Sequence, residues 1–163
     1  MTATYENIAT TTLGSPQTTI TFSSIPGTYT DLIIVCAGNM SAGGAVDNIM
    51  RFNDDTGSNY SRTYLMGDGS SAVSGRNSNQ TSLTLPYWNS TAIHNTIIQI
   101  NNYSNTTTNK SVLARNNMAN ESLIAYALLW RSTSAINKIT ISRGGTNDFA
   151  TGSTFTLYGI KAE

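Results

Sequence analysis

Apolar residues recur along this chain at every second position, in short runs broken by turn residues. In TTITFSSI (18–25), Ile20 and Phe22 share one face and Thr19 and Thr21 the other, the alternation of a half-buried strand. Pro26-Gly27 then sets a turn. DLIIVCAG (31–38) is apolar in both phases, as a central strand covered on two sides would be. DNIMRFN (47–53) and YSRTYLMG (60–67) read as strands on either side of a polar connection, and DGSSAVSGRNSNQ (68–80) reads as a long polar loop. SLTLPYW (82–88) alternates Leu83, Leu85 and Tyr87, and its Pro86 points to a strand end or a sheet edge.

IHNTIIQINNYS (93–104) places Ile98 and Ile100 on one face and Ile97, Gln99 and Asn101 on the other. NTTTNK is a turn, and KSVLARNNM (110–118) is a weaker strand. ESLIAYALLWRS (121–132) is ambiguous. Its length and Ala/Leu content fit a helix capped by Asn120, whereas Ile124, Tyr126, Leu128 and Trp130 alternate as a strand; its strand-like neighbours favour the latter. INKITISR (136–143) and GSTFTLYGIK (152–161) close the pattern, the last with Phe155, Leu157 and Gly159 set against Thr156, Tyr158 and Ile160.

These runs predict about nine or ten strands at the roughly 8–12-residue spacing of all-β folds. No amphipathic helix separates them, so the expected architecture is an antiparallel two-sheet sandwich, jelly-roll-like. Residues 1–16 are polar and end in GSP, which predicts an extended N-terminal arm or an edge strand; 17–163 form a single sandwich domain.

Composition sharpens this. Thr, Ser and Asn supply 62 of the 163 residues while only 11% are charged, less than half the usual share of about 25%. Such a surface interacts through hydrogen bonds and shape and lacks the repulsion that keeps free proteins apart, which suits a chain living in an assembly; a neutral extracellular β-protein has the same composition. Nine basic residues balance nine acidic ones, so neither nucleic acid nor an anionic membrane is an expected partner. Cys36 is the sole cysteine and lies in an apolar run, the setting of a buried structural thiol. MTATYENIAT lacks a basic start followed by an apolar stretch, so no signal peptide is expected. No apolar run nears the roughly 18 residues of a membrane span.

Candidate chemistry is sparse. NDDTGSN (53–59) places Asn53, Asp55, Gly57 and Asn59 at alternate positions, which suggests oxygen ligands for calcium, but it lacks the order and distant Glu of an EF-hand. The competing and preferred reading is a hairpin loop whose Asp and Asn side chains bond their own backbone, with Gly57 at positive φ. A glycosidase-like pair would need two carboxylates facing one bond; Asp54 and Asp55 are adjacent, and one strand separates them from Asp68. His94 is the sole histidine, and no nucleophile elbow accompanies it. One His and one Cys cannot make a tetrahedral zinc site. No catalytic, cofactor or metal residue is therefore assigned and no enzyme is expected. Tyr60, Tyr64, Tyr87, Trp88, Tyr103 and Trp130 either build a sugar-stacking platform or fill the core or a subunit interface, the second being favoured. Beside Pro86, the pair Tyr87-Trp88 is the one expected at the surface.

FSSIPGTYTDLIIV, FNDDTGSNYSRTYLMGDGSS and the C-terminal GSTFTLYGIKAE together resemble small virion structural proteins of tailed bacteriophages, in order from about Thr18 to Lys161. The resemblance implies a β-sandwich on a capsid or in a tail fibre, in the virion after synthesis in a host cytoplasm. It brings no catalytic residue. With only about 16 residues before the first strand, a capsid decoration (cement) protein is expected, bound to the major capsid protein or other virion proteins. Self-association, most simply as a trimer, is also implied. Thr2, Tyr5, Ile8 and Thr11 of the arm, with Tyr87 and Trp88, are the candidate contact residues. A receptor- or glycan-binding module of a tail or head fibre is the alternative.

Overall fold

The computed structural model describes residues 4–118 and 122–161. Twelve strands cover most of them: β1 (Tyr5–Thr12), β2 (Thr19–Phe22), β3 (Asp31–Gly38), β4 (Val46–Phe52), β5 (Tyr60–Gly67), β6 (Ala72–Gln80), β7 (Leu83–Trp88), β8 (His94–Ile100), β9 (Lys110–Met118), β10 (Ser122–Trp130), β11 (Ile139–Arg143) and β12 (Thr154–Ile160). They form two antiparallel sheets, one of eight strands ordered β1-β12-β3-β8-β9-β10-β5-β6 and one of four ordered β2-β11-β4-β7. The protein is an all-β, jelly-roll-like sandwich, with two or three more strands than the hydrophobic pattern shows.

The core lies between the sheets. Leu32, Ile34 and Cys36 of β3, Ile98 and Ile100 of β8, and Ile124, Tyr126, Leu128 and Trp130 of β10 point inward from the large sheet. Ile20 and Phe22, Met50 and Phe52, Leu83 and Leu85, and Ile139 and Ile141 meet them from the small one. The period-two alternation in each strand thus becomes the two inner faces of a sandwich. β3 is central in the large sheet, between β12 and β8, as expected, but the second sheet covers it on one side only, and Ile33 and Val35 lie in its outward phase. Residues 122–130 are strand, paired in register on both sides with β9 and β5; Asn120 lies outside the described residues.

Within the segment read as an arm or an edge strand, Tyr5–Thr12 form the edge strand β1, which pairs with β12 from Tyr5↔Ile160 to Thr12↔Thr154. Three further expectations are corrected. The polar segment 68–80 is a turn plus the nine-residue strand β6, not a loop. The Asp68 carboxylate accepts the backbone N–H groups of Ser70 and Ser71 at 2.9 and 2.6 Å and the Ser71 hydroxyl at 3.0 Å. That turn delivers Ala72 opposite Gly67, and the ladder to β5, not burial, makes the strand. Gly75 lets the Tyr64 ring lie against the strand: a Cβ there would meet the Tyr64 hydroxyl at 2.6 Å.

The second correction concerns 53–59. This segment joins β4 in the small sheet to β5 in the large one, so it crosses the sandwich instead of closing a hairpin. The left-handed residues are Asn53 (φ 52°) and Asp54 (φ 57°), types whose short polar side chains tolerate that region, and not Gly57. The third concerns Trp88, which is 1% exposed. β7 carries an extra residue against β4, between the pairs Val46↔Trp88 and Asn48↔Leu85. This offset at Pro86 switches the alternation, so Trp88 and not Tyr87 joins Leu85 on the inner face. Trp88 then packs on Phe149 and Phe155, ring centroids 5.7 Å from each.

Candidate interaction surface

The residues with chemical potential are occupied in the scaffold. In the crossing segment, Asp55 Oδ1 accepts the Gly57 N–H at 2.8 Å, and Oδ2 accepts Asn59 Nδ2 at 2.9 Å and the Trp130 indole Nε1 at 2.7 Å. Hydrogen bonds from Asn59 and Trp130, with the Gly57 N–H, hold this carboxyl below its ordinary range against a smaller opposing effect of desolvation. The Tyr60 hydroxyl donates to Asp55 O at 3.1 Å and accepts from Phe52 N at 3.3 Å. Asp54 faces elsewhere, onto Lys138 at 2.7 Å, and Asp68 lies past the far end of β5. Among the described residues no three His, Cys, Asp or Glu side chains group as metal ligands.

His94 is fully buried. Its Nε2 accepts the Asn89 N–H at 3.0 Å, and its ring stacks on Trp88 at 5.9 Å. The Trp88 indole donates to Thr96 Oγ1 at 2.9 Å, whose hydroxyl donates to Asn116 Oδ1 at 3.0 Å, so this polar chain links the small sheet to β8 and β9. Lys110 is also buried, its ammonium donating to the carbonyls of Asn105, Thr108 and Thr133 at 2.7, 2.8 and 3.2 Å. It closes the loop after β8, where desolvation lowers its pKa. Burial raises the Cys36 thiol far above its normal range. Arg62 lies over Tyr64 and Tyr126, at 5.1 and 5.2 Å from their centroids, and donates Nε to Asn77 Oδ1 at 2.8 Å. That guanidinium seals the flank where β5 and β6 leave the cover of the small sheet.

The candidate contact residues do not gather. Tyr5 is exposed on β1, Ile8 is half-buried against the core, and Thr11 is half-buried. Thr2 lies outside the described residues. Tyr87 is half-buried and shares a 3.1 Å hydroxyl contact with Ser122. It sits on β7, which packs against β10, β5 and β9, away from the β1 edge. Tyr60, Trp88, Tyr103 and Trp130 are inside, so they form core and not a sugar platform.

The open surface is the outer face of the large sheet. The register aligns Val35, Ile97, Arg115, Ala125, Leu65 and Ser74 in one row across six strands. Beside that row, Leu123 is 62% exposed and Leu113 41%, with Leu65 at 64% within it. A hollow of about 460 Å³ lies among Leu65, Gly67, Val73, Leu123 and Ala125. Asp31, Arg76 and Arg115 are the charged residues that the register assigns to this face among the described strands. Eight strands about 4.8 Å apart, each about seven residues long at about 3.3 Å per residue, give a face of roughly 800 Å². That is the share of one partner in a standard protein interface, about 800 Å². The sequence signals this face in β3 and β10: DLIIVCAG and SLIAYALLW are apolar in their outward phases as well as their inward ones.

No protein-family model and no curated protein matches the chain. Among solved structures it is similar to the galectin LEC-6 of Caenorhabditis elegans, with 12% identity over 91% of this chain and 94% of that one and a TM-score of 0.36. The alginate lyase Aly36B shows 9% identity over 93% of this chain and 77% of that one, with a TM-score of 0.33. A complex of a variant of that lyase with an alginate tetrasaccharide gives 9% identity and a TM-score of 0.35, over 83% and 71% of the two chains. Likenesses this distant carry no argument about ligand or activity.

Proposed function

We propose that this chain is a structural protein of a tailed-bacteriophage virion, a decoration protein that binds the capsid shell and stiffens it. One observation carries the reading: the outer face of the eight-stranded sheet exposes Leu65, Leu113 and Leu123 on a surface nearly free of charge and as wide as a standard interface. Large apolar side chains exposed together on one face mark an interaction site, and only Asp31, Arg76 and Arg115 among its described residues need partners when it is buried. The resemblance of three sequence blocks to virion proteins supplies the setting. Repetition over a shell lets individually weak contacts act together.

The test is gradient fractionation of phage particles with immunodetection of this chain, followed by rebinding to shells stripped of it. The reading expects many copies in the capsid fraction. It expects the Leu65→Asp/Leu123→Asp variant to fold normally and lose at least about tenfold in rebinding, since a charge buried without a partner is strongly unfavourable. A chain confined to tails, absent from particles, or rebinding unchanged as the variant refutes it. Removing residues 2–15 is not a clean test, because it deletes β1 from the sheet.

A further inference from the structure

Each sheet ends in strands whose outer N–H and C=O groups are open, and most proteins blunt such edges. β2 is blunted by length, at four residues. β7 is blunted by Pro86 and by its extra residue against β4. β1 is kinked by the extra residue Ile8, between the pairs Asn7↔Tyr158 and Ala9↔Leu157. β6 has none of these devices over most of its length. From Ala72 to Asn77 it runs in unbroken register with β5, and its irregularity falls later, between Asn77 and Gln80, where Asn79 has φ 56°. It contains no Pro and no Lys, and nearly every residue is exposed, because the small sheet does not reach over it.

We infer that β6 is a strand-addition edge, and that its partner is β6 of a second copy, paired antiparallel about a two-fold axis. The other described edges are shorter or interrupted by an extra residue and do not match an unbroken six-residue run; another β6 matches it by identity. A register with Gly75 opposite Gly75 places Arg76 opposite Ser74 and Val73 opposite Asn77. No like charges then face each other across the pair, which they would if Arg76 were opposite itself. Bringing two glycines together at the axis also leaves each Tyr64 ring undisturbed over its own Gly75. The joined edge buries little apolar surface, so it falls below the standard interface size and the dimer is weak in free solution. On a shell, where copies are held side by side, the same contact becomes effectively intramolecular. This deepens the proposed assembly role: the sheet face meets the shell, and the edge meets the neighbour.

The test uses two full-length variants, Ser74→Cys and Arg76→Cys, carrying tags of different mass. Both positions are exposed, and the native Cys36 is buried and does not compete. In the inferred register, residue 74 of one copy faces residue 76 of the other, whereas 74 and 74, or 76 and 76, lie on a diagonal of about 7–8 Å, too far for a disulfide. Mixed under a glutathione redox buffer, the two variants are expected to cross-link at least about tenfold faster than either alone, to a species with the mass of one copy of each. Equal rates in all three samples overturn the pairing, as does a native trimer by sedimentation. The experiment contains no shell. A failure here therefore leaves the capsid reading standing, and loss of shell binding leaves this result standing.

Discussion

Asp55→Ala should unlock the segment that crosses from one sheet to the other. The wild-type carboxylate accepts from the Gly57 N–H, the Asn59 amide and the Trp130 indole at 2.7–2.9 Å. Trp130 is 2% exposed, packed on Phe52 and Tyr60, so truncating Asp55 removes the acceptor of a largely buried donor. An orphaned buried donor costs about 1–3 kcal/mol, and each hydrogen bond to a charged group contributes about 1.5–3 kcal/mol. Part of this is recovered because Gly57 and Asn59 lie near solvent. The expected loss is therefore about 2–4 kcal/mol. At about 2–4 °C per kcal/mol for a chain of this length, the melting temperature should fall by roughly 5–15 °C.

Urea unfolding followed by tryptophan fluorescence measures the loss directly. A cycle with Trp130→Phe, which keeps an aromatic ring and removes the donor, should give a coupling of about 1 kcal/mol. The sign of the pH dependence follows from the lowered pKa of Asp55. A carboxyl more acidic in the folded state than the usual 3.8 stabilises fully above that value. It loses the contribution as pH falls through its folded-state pKa. Asp55→Asn should thus flatten the acid limb of the stability profile below about pH 4. If Asp55→Ala costs under about 0.5 kcal/mol, or the cycle shows no coupling, the claim that this carboxylate is a structural keystone is wrong.

Other substitutions probe the remaining features. Trp88→Ala should cost about 3–5 kcal/mol in urea unfolding, because the ring holds Phe149, Phe155 and His94; an exposed Trp88 would be nearly neutral. Lys110→Ala strips three carbonyls of their donor and should destabilise by about 2–4 kcal/mol, with faster amide exchange in residues 101–109 as the local readout. Gly75→Val should distort the β5–β6 hairpin against Tyr64, by about 1–3 kcal/mol, with NMR shift changes centred on residues 60–80 and on Tyr126, which packs on Tyr64. Cys36 should resist an aromatic disulfide reagent in the folded protein and react at once in urea, since burial holds it as the thiol.

Strands whose inner faces are buried were legible from alternation alone in β2, β8 and β12, which place their odd or even apolar residues where the pattern demands. β10 alternates too, but its length and Ala/Leu content also fit a helix, and only its strand-like neighbours decided it. β6 was not legible, because burial leaves the mark that periodicity reads, and β6 is buried on neither face. Its existence follows from the Asp68 turn and the ladder to β5, neither of which hydropathy alternation registers. The phase of β7 failed at one residue, Pro86, where the extra residue turns Trp88 inward; proline signalled an irregularity without saying which side chain it would hide. At the crossing segment the Asx-type bonding was foreseeable from Asp, Gly and Asn, whereas the third donor, Trp130, lies 75 positions away and no local rule points to it. The candidate contact surface was half-visible in β3 and in β10, whose outward Leu123 and Ala125 extend its apolar character to both phases. Which neighbours complete the patch depends on strand order, and strand order is written in no single segment.

The unequal widths of the two sheets divide the chain into regions of different evolutionary freedom. Under the small sheet, each inward position answers to residues on two sheets at once, and few replacements fit. Past its rim, β6 answers mainly to its ladder with β5, to Tyr64 over Gly75 and to Arg62. The hairpin tip at Gly69 and Ser70 answers to nothing but the Asp68 turn. Foreign peptides inserted at that tip should be displayed without disturbing the body of the protein, and in related chains drift in length and sequence should concentrate there.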